Sequence, residues 1–264
     1  MELIKQLREM TGAGMVDCKK ALDEAGNDIN KAVEILRKKG ISKAAKRTDR
    51  EANEGVVKVA VNDAKTEAYI LQLSSETDFV SRNEKFQALA DEIMNVIKKD
   101  KPATLEALLA LPVNGATVEE HIGSLSGTIG EKMSVKRFEI ISGASVASYS
   151  HLGGRIGVLV ALDQAGKETL AADIAMHIAA SNPKYILPSE VAVEEMAKEK
   201  EIYKELLIKE GKPENMVDKI VEGKMGKYYS EVCLVEQEYI KDDKKKIKDI
   251  CGGVNVLKFV RYSL

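Results

Sequence analysis

The chain has 264 residues, enough for two or three separate hydrophobic cores, and its 40 Lys and Arg against 42 Asp and Glu leave a net charge of -2. That balance excludes a global field that would draw the chain to nucleic acid or an anionic membrane, and leaves only local patches. Cys18, Cys233 and Cys251 are odd in number and far apart, which suits buried, reduced thiols better than a secreted disulfide framework.

The chain opens on "MELIKQLREM", too charged for a signal peptide and without its small-residue cleavage site. No apolar run comes near the roughly 20 residues of a membrane span, so a cytoplasmic protein without membrane contact is expected. Apolar residues recur at helical spacing as Leu3, Ile4 and Leu7, then Met15, Cys18, Leu22 and Ala25, then Ile29, Val33 and Leu36. They predict three short helices, broken at 11–14 and 26–28, with Asp28 as an N-cap and Gly40 as the end of the third. The polar "KAAKRTDREANEG", basic at its start, predicts a linker, so the first domain with its linker spans 1–54.

From Gly55 the pattern turns β-branched, and "VVKVAV" (56–61) and "AYILQLS" (68–74) flank Asn62 and Asp63 as a hairpin. "NEKFQALADEIMNVIKKD" places Phe86, Leu89, Ala90, Ile93 and Ile97 on one helical face behind Asn83 as cap. A capping box from Thr117 to Glu120 starts a further helix carrying Val118, Ile122, Leu125 and Ile129. "VKRFEII" (135–141) predicts the strand that closes a core subdomain spanning 55–141. The scheme then repeats as "VASYSH", a turn at Gly153 and Gly154, "RIGVLVAL", and a helix from Glu168 that stops before Pro183.

Residues 189–229 are rich in Lys and Glu, with apolar Val193, Met196, Tyr203, Leu206 and Leu207 before a break at 211–213 and Met216, Ile220 and Met225 after it. They predict an antiparallel helical hairpin that projects as an arm. The remainder, from "EVCLV", predicts a strand, a charged turn or short helix, and a final strand. The expected class is α+β, with a three-helix unit, two related core subdomains (55–141 and 142–264) and a helical hairpin inserted in the second.

Catalytic constellations are sparse. A phosphate-binding Gly-Lys-Ser/Thr loop is missing, since Gly166-Lys167 lacks both the earlier glycine and the hydroxyl residue. "GAGMVD" (12–17) has Asp17 where a dinucleotide fingerprint needs a third glycine, and it follows a helix rather than a strand. His121, His151 and His177 are scattered and pair with no cysteine at ligand spacing. No cofactor, metal or directly bound nucleotide is expected, and the chain reads as a protein that acts by binding rather than as an enzyme. A thiol enzyme built on Cys18, and an RNA- or ribosome-associated module using the arm and the basic linker, are the alternatives.

One stretch, "SSETDFVSRN" (74–83), puts Phe79 in a polar loop between a predicted strand and a predicted helix. The plain reading is a hydrophobic staple folded back on its own helix. However, "LREMTGAGMVDCKKAL", "LQLSSETDFVSRN", "SYSHLGGRIGVLV", "IAMHIAASNP" and "VEGKM", in that order, resemble motifs of the elongation factor Ts family, the guanine-nucleotide exchange factors of elongation factor Tu.

The resemblance implies that the N-terminal helices form a domain like those that bind ubiquitin. It also implies that this domain and the first core subdomain engage the partner's GTP-binding domain, while the second touches a β-barrel domain. Thr77, Asp78, Phe79 and Val80 would form the tip that disturbs the partner's Mg2+ site, with Phe79 as the wedge and Asp78 as its polar companion. Lys19 would contact the GTP-binding domain, the bland alternative being a solvated helix lysine, and His151 would contact the barrel. No nucleic acid is required for such an activity. The sequence ends at Leu264, without the C-terminal extension that some members lay against the partner.

Overall fold

The computed structural model describes the backbone of residues 1–264 and the side chains of all but Lys43, Glu214 and Asn215. The chain begins with three helices, α1 (Glu2–Thr11), α2 (Met15–Glu24) and α3 (Ile29–Ala45). Gly12 ends α1 in the left-handed region, at φ 73°, and its N–H reaches the Arg8 carbonyl. Asp28 caps α3 by accepting the Lys31 N–H at 3.1 Å. Leu7, Cys18, Ala21, Leu22 and Ala32 fill the small core between them. Three details differ from the sequence pattern: Leu3 and Met15 are exposed, and α3 runs straight through Gly40.

The first sheet follows, from β1 (Glu54–Val61) and β2 (Glu67–Ser75), whose turn is held by Asn62 Oδ1 accepting the N–H groups of Thr66 and Glu67 at 2.9 and 3.0 Å. A four-residue helix, α4 (Asp78–Ser81), precedes α5 (Glu84–Asp100), which Asn83 caps at the Lys85 N–H. Then come α6 (Leu105–Ala110), the two-residue strands β3 (Pro112–Val113) and β4 (Ala116–Thr117), α7 (Val118–Ile129) and β5 (Met133–Ser142). Both arms of the capping box at Thr117 and Glu120 are formed. Helices α4 and α6 carry too few residues for a helical period to register in the sequence.

Gly40 is a crossing point rather than a helix end. A Cβ placed on Gly127 of α7 would stand 2.2 Å from the Gly40 Cα, so only two glycines allow α3 and α7 to meet here. Arg37 pairs with Glu120 across the same contact, and Arg47 donates to the Ser126 carbonyl at 3.2 Å.

The second sheet repeats the first. Strands β6 (Ser145–His151) and β7 (Ile156–Leu162) form a hairpin, and α8 (Glu168–Ser181) ends at left-handed Asn182. Two further helices follow, α9 (Val193–Lys209) and α10 (Glu214–Val232), then β8 (Glu238–Tyr239), β9 (Asp242–Lys246), α11 (Ile247–Cys251) and β10 (Val256–Ser263). The sheets run β1-β2-β5 and β6-β7-β10, all antiparallel, so in each the second hairpin strand is central and the late strand joins its far side.

One face of each sheet packs on a helix, β2 and β5 on α5 and α7, and β6, β7 and β10 on α8. The other faces pack on each other through Val57, Ile70, Ile141, Val146, Leu159 and Val260. Helix, sheet, sheet, helix is therefore the layer order, in an α+β chain. It explains why "AYILQLS" and "GVLVAL" read as unbroken apolar runs: central strands buried on both faces have no polar side to alternate with. Gly157 lets the sheets close, since a Cβ there would meet Val57 Cγ1 at 2.5 Å.

In the arm, α9 and α10 pack through Leu207, Val217, Val221, Met225 and Tyr228, with Met196, Tyr203 and Ile220 alongside. Val193, Leu206 and Met216, also part of the sequence pattern, are exposed instead. The stretch around Cys233 is not a strand. Helix α10 continues to Val232 and a single 3-10 turn spans Leu234–Glu236, because Cys233 and Leu234 are buried at the base of the arm.

Candidate functional site

Strand β2 ends at Ser75, and the four residues singled out in the sequence follow at once. Thr77 is the cap of α4, its hydroxyl accepting the Val80 N–H at 3.4 Å, and Ser75 donates its hydroxyl to the Thr77 carbonyl at 3.0 Å. Asp78 pairs with Arg82 one turn on at 3.0 Å. Phe79 projects with 83% of its surface exposed, which rules out the staple. Val80 faces the other way and belongs to the core beneath α5. Of the four residues expected to meet a partner, Val80 is thus the anchor of the turn rather than part of its exposed face, since successive residues of one helical turn point to different sides.

His151 ends β6 and is exposed, its ring stacked on Tyr149 with centroids 5.9 Å apart and Nδ1 3.2 Å from the Tyr149 hydroxyl. Leu152 follows in the left-handed region, at φ 51°, with 64% of its surface exposed. The sequence pattern passed over this residue; its signal was an apolar side chain inside a turn otherwise built of glycine. Gly154 sits against β1, with its carbonyl accepting the Val57 N–H at 2.7 Å. Arg155 pairs with Glu54 at 2.8 Å.

The register brings the two turns to one end of the molecule. Glu54 lies opposite Ser75, where the Phe79 turn leaves the first sheet, and is also the partner of Arg155 beside the His151 turn. Two sheets thus present one apolar tip each, Phe79 and Leu152, on the same edge.

Lys19 stands exposed on α2, in the helical unit rather than on the sheets, with Met15 and Val16 one turn before it and exposed on the same side. Val16 is the second residue missed by the pattern, hidden because the helix has an apolar residue on each side of its axis. The α1–α2 turn lies against α5, where the Lys85 side chain fills the space above Gly12.

Other candidates fall away. Cys18 is fully buried and its thiol lies 3.6 Å from the Ala13 carbonyl, while burial pushes the Cys233 thiol up to about 11. Two cations of the linker region are engaged within the chain, Arg47 donating to the Ser126 carbonyl of α7 and the exposed Arg50 pairing with Glu76 at 3.2 Å, while Lys46 stands exposed.

His177 is buried and structural. Its Nε2–H donates to Gln237 Oε1 at 2.9 Å, and the Gln237 amide donates to the Glu231 carbonyl at 2.8 Å, tying α8 to the base of the arm. Burial lowers the His177 pKa below its ordinary 6.5, partly offset by the bond to Gln237. As pH falls through about 6.5 the unfolded chain therefore takes up the proton first, and stability declines by at most about 1.4 kcal/mol per pH unit until the folded pKa is passed. Thermal melts between about pH 7.5 and 5.5 should show this decline, and His177→Gln should flatten it. A wild-type and variant slope that coincide would refute the assignment.

A family model described as elongation factor TS matches residues 76–264, from the residue before Thr77 through the last strand. It takes in both apolar tips, the arm and the whole second sheet.

Proposed function

The chain belongs to the elongation factor Ts family of translation elongation factors, and on that premise we propose that it is a guanine-nucleotide exchange factor that binds GDP-bound elongation factor Tu. The single observation that carries this reading is Phe79, a large apolar side chain held out in solvent by a turn whose neighbour Val80 is locked in the core. A phenylalanine presented this way is free to bury its ring against another surface, a gain of about 1.5 to 3 kcal/mol.

A GTPase holds its nucleotide largely through phosphate and Mg2+ contacts, so inserting Phe79 beside them, with Asp78 as polar companion, weakens the grip without covalent chemistry. Lys19 with Met15 and Val16 meets the GTP-binding domain, and His151 with Leu152 meets the barrel domain. Two apolar tips on one edge let a single body press on two places. The factor itself needs no cofactor, nucleotide, nucleic acid or membrane, and its place is the cytoplasm. Among the described residues no helix is long and apolar enough to cross a membrane.

Linkage makes the reading testable from either side. If the bound factor loosens GDP by some ratio, GDP loosens the factor by the same ratio. Stopped-flow release of a fluorescent GDP from elongation factor Tu is expected to accelerate with added chain, and capture of elongation factor Tu by the immobilised chain is expected to be lost in excess GDP. An unchanged release rate overturns the proposal.

A further inference from the structure

We infer that Glu131 is the positioning residue of the Phe79 tip, an assignment that rests on the exchange reading above. Phe79 has almost no packing of its own, so its direction is set by the backbone of 76–80. Val80 pins one side of that segment in the core. The other side is held by the connection between α7 and β5, a part of the chain outside the motif.

Thr77 donates twice to the Glu131 carboxylate, its N–H to Oε2 at 3.0 Å and its hydroxyl to Oε1 at 2.8 Å. Because that hydroxyl gives its proton to Glu131, its lone pairs are left to accept the Val80 N–H, and the cap of α4 is oriented by the same carboxylate. Glu76 answers in the opposite direction, with Oε1 accepting the Lys132 N–H at 2.5 Å. Two consecutive residues at the exit of β2 thus exchange carboxylates with two consecutive residues before β5.

The clasp is itself braced. The Glu131 carbonyl accepts the Ser126 hydroxyl at 2.5 Å, and Gly130 closes α7 in the left-handed region at φ 95°. The Lys132 ammonium donates to the carbonyls of Thr48 and Arg50 at 2.6 and 2.8 Å, and Arg50 pairs with Glu76. The Lys132 N–H, and after it Arg50, hold the Glu76 carboxyl below the usual carboxylate range. Removing Glu131 leaves the Thr77 N–H without its acceptor and frees the cap hydroxyl, so the tip must be reordered each time it engages a partner.

The test is release of fluorescent GDP from elongation factor Tu over a range of concentrations of wild type, Glu131→Ala, Glu131→Gln, Phe79→Ala and the Phe79→Ala/Glu131→Ala double variant. Glu131→Ala is expected to lower the saturating release rate roughly tenfold, the effect of about 1.4 kcal/mol, with a smaller change in the half-saturating concentration. Glu131→Gln, which keeps one acceptor for the Thr77 N–H, recovers most of the rate. The double variant is no slower than Phe79→Ala alone, since Glu131 acts through Phe79. Thr77→Val, which removes the bridging hydroxyl from the other side, gives the same loss if Glu131→Ala does not fold.

Losses that add in the double variant, or a Glu131→Ala protein that melts like wild type and retains its rate while Phe79→Ala is slow, overturn the clasp and leave the exchange reading standing. A wild-type chain that gives no acceleration overturns both.

Discussion

Phe79→Ala should slow factor-stimulated GDP release from elongation factor Tu by roughly 10- to 150-fold while leaving the fold intact. The magnitude follows from burial. Moving a phenylalanine side chain from water into an apolar contact is worth about 1.5 to 3 kcal/mol, and about 1.4 kcal/mol is a factor of ten. The change should fall on the release rate rather than on thermal stability, because the side chain makes little contact within the chain itself. Phe79→Leu should fall between the two, as a smaller apolar tip. Stopped-flow release and a melting curve on the same preparations separate the effects, and a variant that releases GDP at the wild-type rate would remove the wedge from the mechanism. On the proposed mechanism, any acceleration beyond that range comes from the surfaces that aim the tip, the Lys19 face and the His151 turn being the proposed ones.

The second large effect is expected at Gly127, where α7 crosses α3. In an ordinary helix an alanine in place of glycine stabilises by about 1 kcal/mol. At Gly127 the added Cβ would lie 2.2 Å from the Gly40 Cα and 2.5 Å from its carbonyl oxygen, both backbone atoms that cannot step aside. Gly127→Ala is therefore expected to loosen the three-helix unit from α7, at a cost of about 1 to 3 kcal/mol for overpacking. Gly123→Ala on the same helix face is the control. Its Cβ would meet the side-chain atom Ile41 Cγ1 at 3.3 Å, a contact that a rotamer change relieves.

Amide hydrogen exchange should therefore rise in α3 and in the facing stretch of α7 for Gly127→Ala and little for Gly123→Ala. The half-saturating concentration in the exchange assay should rise with it, since Lys19, Met15 and Val16 lose their fixed place. Equal protection in both variants would show that the crossing does not depend on its glycines.

Much of the architecture was legible because its signals are local. The Asp28, Asn83 and Thr117 caps, the Asn62 turn and the period of α5 are each written within a few residues, and each forms as read. Gly40 was misread for the same reason: a glycine after an apolar-periodic segment is the ordinary sign of a helix end, and only a second helix 87 positions away in sequence, at Gly127, makes it a contact instead. Met15 and Val16 show the limit of periodicity on a short helix, where a two-turn pattern does not fix which side meets the core. Around Cys233 an apolar cluster was read as strand, and burial at the base of the arm gave it another use.

By itself, the sequence determined the α+β class, the family, and the polar segment between strand and helix in which Phe79 sits, since these rest on caps, turns and runs of residues adjacent in the chain. Only the tertiary structure decided that Phe79 is exposed while Val80 is anchored, that the Phe79 and His151 turns share one edge, and that Glu131 grips Thr77. Those facts depend on strand register and on pairs such as Glu54 with Arg155 and Thr77 with Glu131, separated by 101 and 54 positions. No local pattern encodes such distances, because the contact free energy that selects them exists only once both sheets are packed.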